Sequence, residues 1–259
     1  MSKNGFGCLG KRYSCRTTAH GRGEQGVIGP GTFLGRFVRL VSRVRVDGAD
    51  NLKVLDQPGP ALIVVNHTTV VDVIVVIGTL HNLGFTADGP CAGECKHRRH
   101  IRPIGTADIW DFPIARQVCS GSGIIPVDQF DGRAAYRTAL TALKNGECVL
   151  IYPEGDVKIN EEASPRPWRP GAAGLAKSSL VTVIPIAHHD SRKLGSGTVQ
   201  ASILKAFLGV FRQPRIRLHI GAPVTSQNLV GLSLREANDY LEQIFVATWR
   251  EASSGTSST

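Results

Sequence analysis

Acidic side chains are nearly missing from the first 46 residues. Glu24 stands alone there against Lys3, Lys11, Arg12, Arg16, Arg22, Arg36, Arg39, Arg43 and Arg45. That stretch carries +8 of a net charge of +9, so the remainder is close to neutral. Such a leader suits an anionic surface, either nucleic acid or a bilayer. Aromatic residues are scarce at 6%. They are not interleaved with the leader's cations as base stacking requires, and no nucleic-acid motif follows, so no nucleic-acid partner is expected. Long apolar runs are also lacking. A spanning helix needs about 18 uncharged apolar residues, and the best candidate, Ala61 to Leu80, is broken by Asn66, His67 and Asp72. The first 30 residues hold no apolar core of the signal-peptide kind. A peripheral, monotopic protein at the cytoplasmic face of a membrane is the expectation, with no transmembrane helix or signal peptide.

Cysteines are few for the chain length: Cys8, Cys15, Cys91, Cys95, Cys119 and Cys148 among 259 residues. A chain this long builds its own core, so reduced thiols are expected rather than a disulfide framework. Cys91, Cys95, His97 and His100 have a compact ligand-like spacing. They sit in a basic run with Lys96, Arg98 and Arg99, which reads as solvated surface, and no metal is expected.

What is present alternates between strand and helix. Residues 1–30 form a basic leader expected to be disordered, residues 31–250 a single domain, and 251–259 a polar, disordered tail. Phe33 to Val41 is a basic amphipathic segment. It either covers the core or lies in a membrane interface with Phe33, Phe37 and Leu40 inserted and its arginines snorkelling. Strands are expected at Arg43–Val46, Ala61–Val65, Ile124–Val127, Cys148–Tyr152, Val181–Ile186 and Arg215–Ile220. Helices are expected at Asp72–Leu80, Arg133–Lys144 and Gly171–Lys177. A last helix is capped by Ser233 with Glu236. This pattern gives an α/β fold, a mixed central sheet with helices on both faces, preceded by the basic amphipathic segment.

The most informative stretch is Asn66-His67-Thr68-Thr69-Val70-Val71-Asp72, directly after the buried strand Ala61–Val65. Five positions along a continuous helix separate two side chains by about 140°. His67 and Asp72 therefore meet only if His67 sits in the turn and Asp72 reaches back from the first helical turn. The aspartate then holds one imidazole nitrogen and leaves the other to take a proton.

Three further blocks follow in order: Gly123-Ile124-Ile125-Pro126-Val127-Asp128, Tyr152-Pro153-Glu154-Gly155 and Val183-Ile184-Pro185-Ile186. Together with the first motif, this series resembles the glycerolipid acyltransferase family, typified by 1-acylglycerol-3-phosphate acyltransferases. Softer likeness runs from Val44 to Val224. The resemblance implies the fold of that family, with His67 as general base and Asp72 orienting it. It also implies substrate contacts from Asn66, Thr69, Gly123, Asp128, Glu154, Gly155 and Arg169. The implied donor is acyl-CoA or acyl carrier protein, with no other cofactor. The implied acceptor is a lysophospholipid such as 1-acyl-sn-glycerol 3-phosphate, in phospholipid biosynthesis or remodelling at an anionic membrane surface. No serine or cysteine lies in a block, which favours direct transfer over an acyl-enzyme. Backbone N–H groups near the helix start are the expected oxyanion donors.

Two positions depart from the family pattern. Asp156 and Val157 stand where a hydroxyl and a cation usually follow the third block, and Gln129 replaces a frequent arginine. Asp156 would repel a phosphate, so the acceptor headgroup stays open. Two other readings remain: a lipid- or acyl-CoA-binding protein without turnover, and a hydrolase that uses water as acceptor.

Overall fold

Ala61–Val65 is apolar at every position, and all five residues are buried. A strand without a polar face belongs at the centre of a sheet covered on both sides. The computed structural model places it there. It describes residues 30–85, 100–106, 123–127, 132–155, 157, 165–197 and 199–254. The expectations for Cys91, Cys95, His97, Asp128, Gln129, Asp156 and the leader before Pro30 fall outside these residues.

Helix α1 (Pro30–Val41) leads into β1 (Arg43–Asp47), a 3-10 helix (Ala49–Asp56), β2 (Ala61–Val65) and α2 (Asp72–Asn82). Next come β3 (Ile101–Thr106), β4 (Ile125–Val127), α3 (Gly132–Lys144), β5 (Cys148–Ile151), α4 (Gly171–Ser179) and β6 (Thr182–His189). The chain closes with α5 (Val199–Arg212), β7 (Arg215–Ile220) and α6 (Leu234–Ser254). The sheet order is β1-β7-β6-β2-β5-β3-β4. Every neighbouring pair is parallel except β6 with β7. The mixed sheet expected from the sequence is therefore present.

Alternation along the central strands divides the core. Leu62, Val64, Val149, Val183 and Ala187 face α3, α4 and α6, where they pack with Leu143, Leu175, Leu241 and Phe245. Ala61, Ile63, Val65, Leu150 and Ile184 face the other way, with Leu52, Leu55, Val76 and Leu80. On that second side α1 contributes Val41, α2 and the residue before it contribute Val75 and Val71, and α5 contributes Ala206.

Helix α1 presents two faces. Leu34, Val38 and Val41 are buried, while Phe33 and Leu40 are 52% and 55% exposed. Its contact with α2 is close because Gly78 has no side chain. A Cβ there would lie 2.7 Å from the Leu34 carbonyl oxygen. The covering role of this segment is thus real, and it leaves Phe33 and Leu40 outside.

Two elements were not legible in advance. Strand β3 contains Pro103 and Gly105, which punctuate rather than propagate strands, and it forms because β5 supplies its ladder. Helix α5 is largely apolar in sequence, as buried segments are. It exposes Leu204, Phe207, Leu208 and Phe211, and Phe207 meets Phe37 of α1 edge-on at 5.6 Å. Helix α6 has the expected cap. Ser233 N–H donates to Glu236 Oε2 at 2.7 Å, and Glu236 N–H donates to Ser233 Oγ at 3.2 Å. It runs on to Ser254, past residue 250 where the polar tail is expected to begin.

Candidate active site

Parallel pairing brings the C-terminal ends of β2, β5 and β6 to one edge of the sheet. In open α/β sheets this edge is where ligands bind. His67 follows β2, Tyr152 to Glu154 follow β5, and His188 lies at the end of β6.

His67 sits in the turn, and Asp72 begins α2, as their spacing requires. His67 Nδ1 is 3.1 Å from Asp72 Oδ2. With Nδ1–H donating to the carboxylate, Nε2 is left as the proton acceptor. The imidazole is 14% exposed and Asp72 is fully covered. The ring also stacks on Tyr152, with centroids 4.2 Å apart and planes 23° apart. His67 is thus oriented on two sides and reachable from solvent.

Asp72 has more partners than a simple histidine–aspartate pair needs. The Thr68 and Thr69 N–H groups donate to Oδ2 at 2.6 and 2.8 Å, and Ser191 Oγ donates to Oδ1 at 2.7 Å. His188 Nε2 lies 3.4 Å from Oδ2. Burial alone would raise the pKa of this carboxyl. The charge and hydrogen bond of His188, with those of His67, override burial and hold it far below the usual carboxylate range. Asp72 is therefore an anion at any working pH.

Glu154 ties the third block to the first. Its Oε1 accepts from the His67 N–H at 3.1 Å, and its Oε2 accepts from the Arg166 N–H at 3.4 Å. Arg166 Nε is 3.6 Å from Oε2. Burial pushes the Glu154 carboxyl up, and these donors and the Arg166 charge oppose it. Gly155 has φ 78°, and a Cβ there would meet the Arg169 side chain at 2.5 Å. The missing side chain lets the exposed Arg169 lie flat against the backbone beside Glu154. The Arg169 N–H donates to the Pro153 carbonyl at 2.9 Å.

Other expected residues take different places. Asn66 is buried, and both ends of its amide are engaged by the backbone of His188, at 3.0 and 2.9 Å. It brackets the ends of β2 and β6. The Thr69 side chain is buried, and its hydroxyl has no partner among the described residues. Gly123 lies away from His67. It precedes β4 by two residues and is level with Arg102, whose Nε donates to its carbonyl at 2.9 Å. Arg102 is in register with Val149 and so with Leu62. Five residues separate that level from His67, about 16 Å along a strand. Some of the amides near the helix start are already occupied. The amides of residues 67, 68 and 69 are all engaged by Glu154 or Asp72. A carboxylate holds each of these three.

His188 and Ser191 are the residues that reading by motif missed. A signal existed: they directly follow the Val183–Ile186 strand, and a parallel strand beside β2 delivers its end beside His67. Arg192, next in sequence, places its Nε 3.4 Å from the Thr68 carbonyl.

Comparison with known proteins bears on the family and the fold. The family model described as Acyltransferase matches residues 43–189, more than half of the chain. Among solved structures, the 1-acyl-sn-glycerophosphate (LPA) acyltransferase PlsC from Thermotoga maritima shares the fold with a TM-score of 0.62. Identity with it is 18%, over 88% of this chain and 80% of that one. No curated protein sequence matches the chain significantly. With that match spanning β1 to the end of β6, the chain belongs to the acyltransferase family, on the glycerolipid acyltransferase fold, and is an acyltransferase.

Proposed function

We propose that the protein moves a fatty acyl group from acyl-CoA, or acyl carrier protein, to the hydroxyl of a lysophospholipid such as 1-acyl-sn-glycerol 3-phosphate, in phospholipid biosynthesis or remodelling. The observation that carries this reading is the His67–Asp72 pair, 3.1 Å apart at the sheet edge with one imidazole nitrogen left over. His67 Nε2 takes the proton of the acceptor hydroxyl as its oxygen attacks the thioester carbonyl. Collapse of the tetrahedral intermediate expels the thiolate, which takes that proton from the imidazolium. Asp72 keeps the ring in the Nδ1–H tautomer throughout.

Arg169 beside Gly155 supports a phosphate-bearing acceptor. An exposed guanidinium laid along the backbone offers a fork of donors to a phosphate, and Arg192 adds a second cation by the Thr68 carbonyl.

The exposed apolar surface of α1 and α5 supports work at a membrane face. Phe33, Leu40, Leu204, Phe207, Leu208 and Phe211 are all exposed, and Phe37 with Phe207 joins the two helices. Arg36 and Arg39 on α1 and Lys205 and Arg212 on α5 are exposed cations of the same helices. Contiguous apolar surface with basic flanks suits an anionic bilayer, each cation adding about 1 kcal/mol near it. No helix among the described residues is long and apolar enough to cross a membrane.

The test is incubation of the full chain with labelled acyl-CoA and a panel of lysophospholipids of different headgroup. Acceptor-dependent formation of diacyl product is expected, strongest with a phosphomonoester headgroup. Acyl-CoA binding without product for every acceptor, or fatty acid release independent of acceptor, overturns the reading.

A further inference from the structure

Asp72 lies between two histidines, and only one of them faces outward. His188 is 1% exposed. Its Nε2 is 2.7 Å from the Asn66 carbonyl oxygen, which only accepts, so Nε2 carries a proton. Its Nδ1 is 3.1 Å from Ser191 Oγ. Ser191 has one hydroxyl proton, and it is given to Asp72 Oδ1 at 2.7 Å. Were Nδ1 bare, two lone-pair atoms would share that single proton, or Ser191 Oγ would face a carboxylate oxygen at 2.7 Å with nothing between them. Thr68 Oγ1 does not resolve this. It lies 3.0 Å from Ser191 Oγ and 3.4 Å from Asp72 Oδ1, so its own proton also goes toward acceptors. Proton counting therefore puts a hydrogen on both nitrogens of His188.

We propose that His188 is a positioning residue held as a buried imidazolium behind Asp72, and that its charge, fixed through Ser191, sets how strongly Asp72 acts on His67. This rests on the reading of His67 as the base. A buried carboxylate with one histidine for company would favour that histidine's protonated form, which cannot act as a base. A second cation at the same carboxylate oxygen offsets this pull. His67 then keeps its orienting hydrogen bond, while much of the Asp72 charge is answered by His188. Charged and titratable groups facing His188 are Asp72 from the start of α2 and Glu154 from the turn after β5. His67 and Tyr152 are further titratable groups that interact with Asp72. Burial alone would favour neutral His188, but the charge and hydrogen bond of Asp72, the Asn66 carbonyl and Glu154 all favour the cation, and the net shift is upward.

Nitrogen-15 spectra of histidine-labelled full-length protein test the charge state without turnover. One histidine should show both ring nitrogens protonated at pH 7.5, with that signal lost in His188→Gln. If His188→Gln fails to fold, Ser191→Ala serves. Removing the Nδ1 acceptor should shift the midpoint of the imidazolium signal to lower pH. A neutral His188 at pH 7 in the wild type overturns the proposal. The second readout is the acid limb of the kcat/KM profile. His188→Gln should move it upward by about one pH unit or more, the scale of a close charge, whereas a merely structural role lowers rate at every pH and leaves the limb in place. An unmoved limb overturns the tuning role. Full activity in His67→Ala with an intact His188 imidazolium signal would sink the base assignment and leave the charge assignment standing.

Discussion

Asp72→Asn and His67→Ala should part company in stability while agreeing in activity. The sequence alone gives no reason for a difference, because either change is expected to abolish transfer in a folded protein. The structure separates them. Asp72 is fully buried and serves His67 Nδ1, two backbone amides and Ser191 Oγ at 3.1 Å or less, with His188 at 3.4 Å. An asparagine retains one oxygen and places an NH2 group among donors that need an acceptor. It also leaves the positive charge around His188 unanswered. Removing one member of a buried charged set costs about 3–5 kcal/mol. For a chain of this size that lowers the melting temperature by roughly 6–20 °C. His67→Ala removes a ring that is partly open to solvent and stacked on Tyr152, and Asp72 keeps its other donors. Its stability cost is about 1–2 kcal/mol, while transfer falls about 10²–10⁴-fold, the usual contribution of a general base. The two measurements are a circular-dichroism melt and acyl transfer on the same preparations. Asp72→Asn melting with the wild type would refute the burial argument. A folded His67→Ala protein within tenfold of wild-type rate would refute the base.

Arg169→Ala should raise the acceptor KM about 10–100-fold, the loss of one or two charge-assisted hydrogen bonds, with the acyl-CoA KM unchanged. An unchanged acceptor KM moves the phosphate elsewhere. Phe207→Ser with Phe211→Ser should abolish co-sedimentation with anionic vesicles and leave the melt within about 1 kcal/mol of wild type, since both rings are exposed; retained vesicle binding removes α5 from the docking surface. Gly78→Val should destabilise by about 1–3 kcal/mol, because its Cβ would sit 2.7 Å from the Leu34 carbonyl; a wild-type melt would show that α1 shifts freely. Stability should also depend on pH from both ends. The folded-state pKa of Asp72 is depressed, so its contribution is present above the ordinary carboxylate value of about 4 and is lost as pH falls through the lower folded value. That of His188 is raised, so its contribution is full below about 6.5 and is lost as pH rises through the higher folded value. Denaturant melts of Asp72→Asn and His188→Gln should each flatten the corresponding side of the profile.

Motif spacing carried much of the site. Five residues between His67 and Asp72 allow contact only across a strand-to-helix turn, and the contact is there. Glu154 was legible as part of the third block, but its bond to the His67 amide was not. That bond depends on β2 and β5 ending level with each other. Motif membership does not by itself show that Asn66 braces the ends of β2 and β6, or that the Thr69 side chain is buried. His188 carried no motif signal and entered only because β6 lies beside β2. Helix α5 was unread because an apolar segment resembles core until its neighbours are known, and Leu204, Phe207, Leu208 and Phe211 among others turn out to face solvent.

The sequence by itself determined the class of fold and the meeting of His67 with Asp72. Strand-like segments alternating with helical ones make an α/β sheet, and a histidine and aspartate five residues apart at a strand end can only meet in a turn. Both follow from local geometry and from the cost of exposing apolar surface. The tertiary structure decided what surrounds that pair. It spent the amides of residues 67–69 on carboxylates, removed Gly123 to the far end of its strand level, and set a second histidine behind Asp72. Those outcomes depend on strand order and register, which long-range packing fixes and no local run of residues encodes.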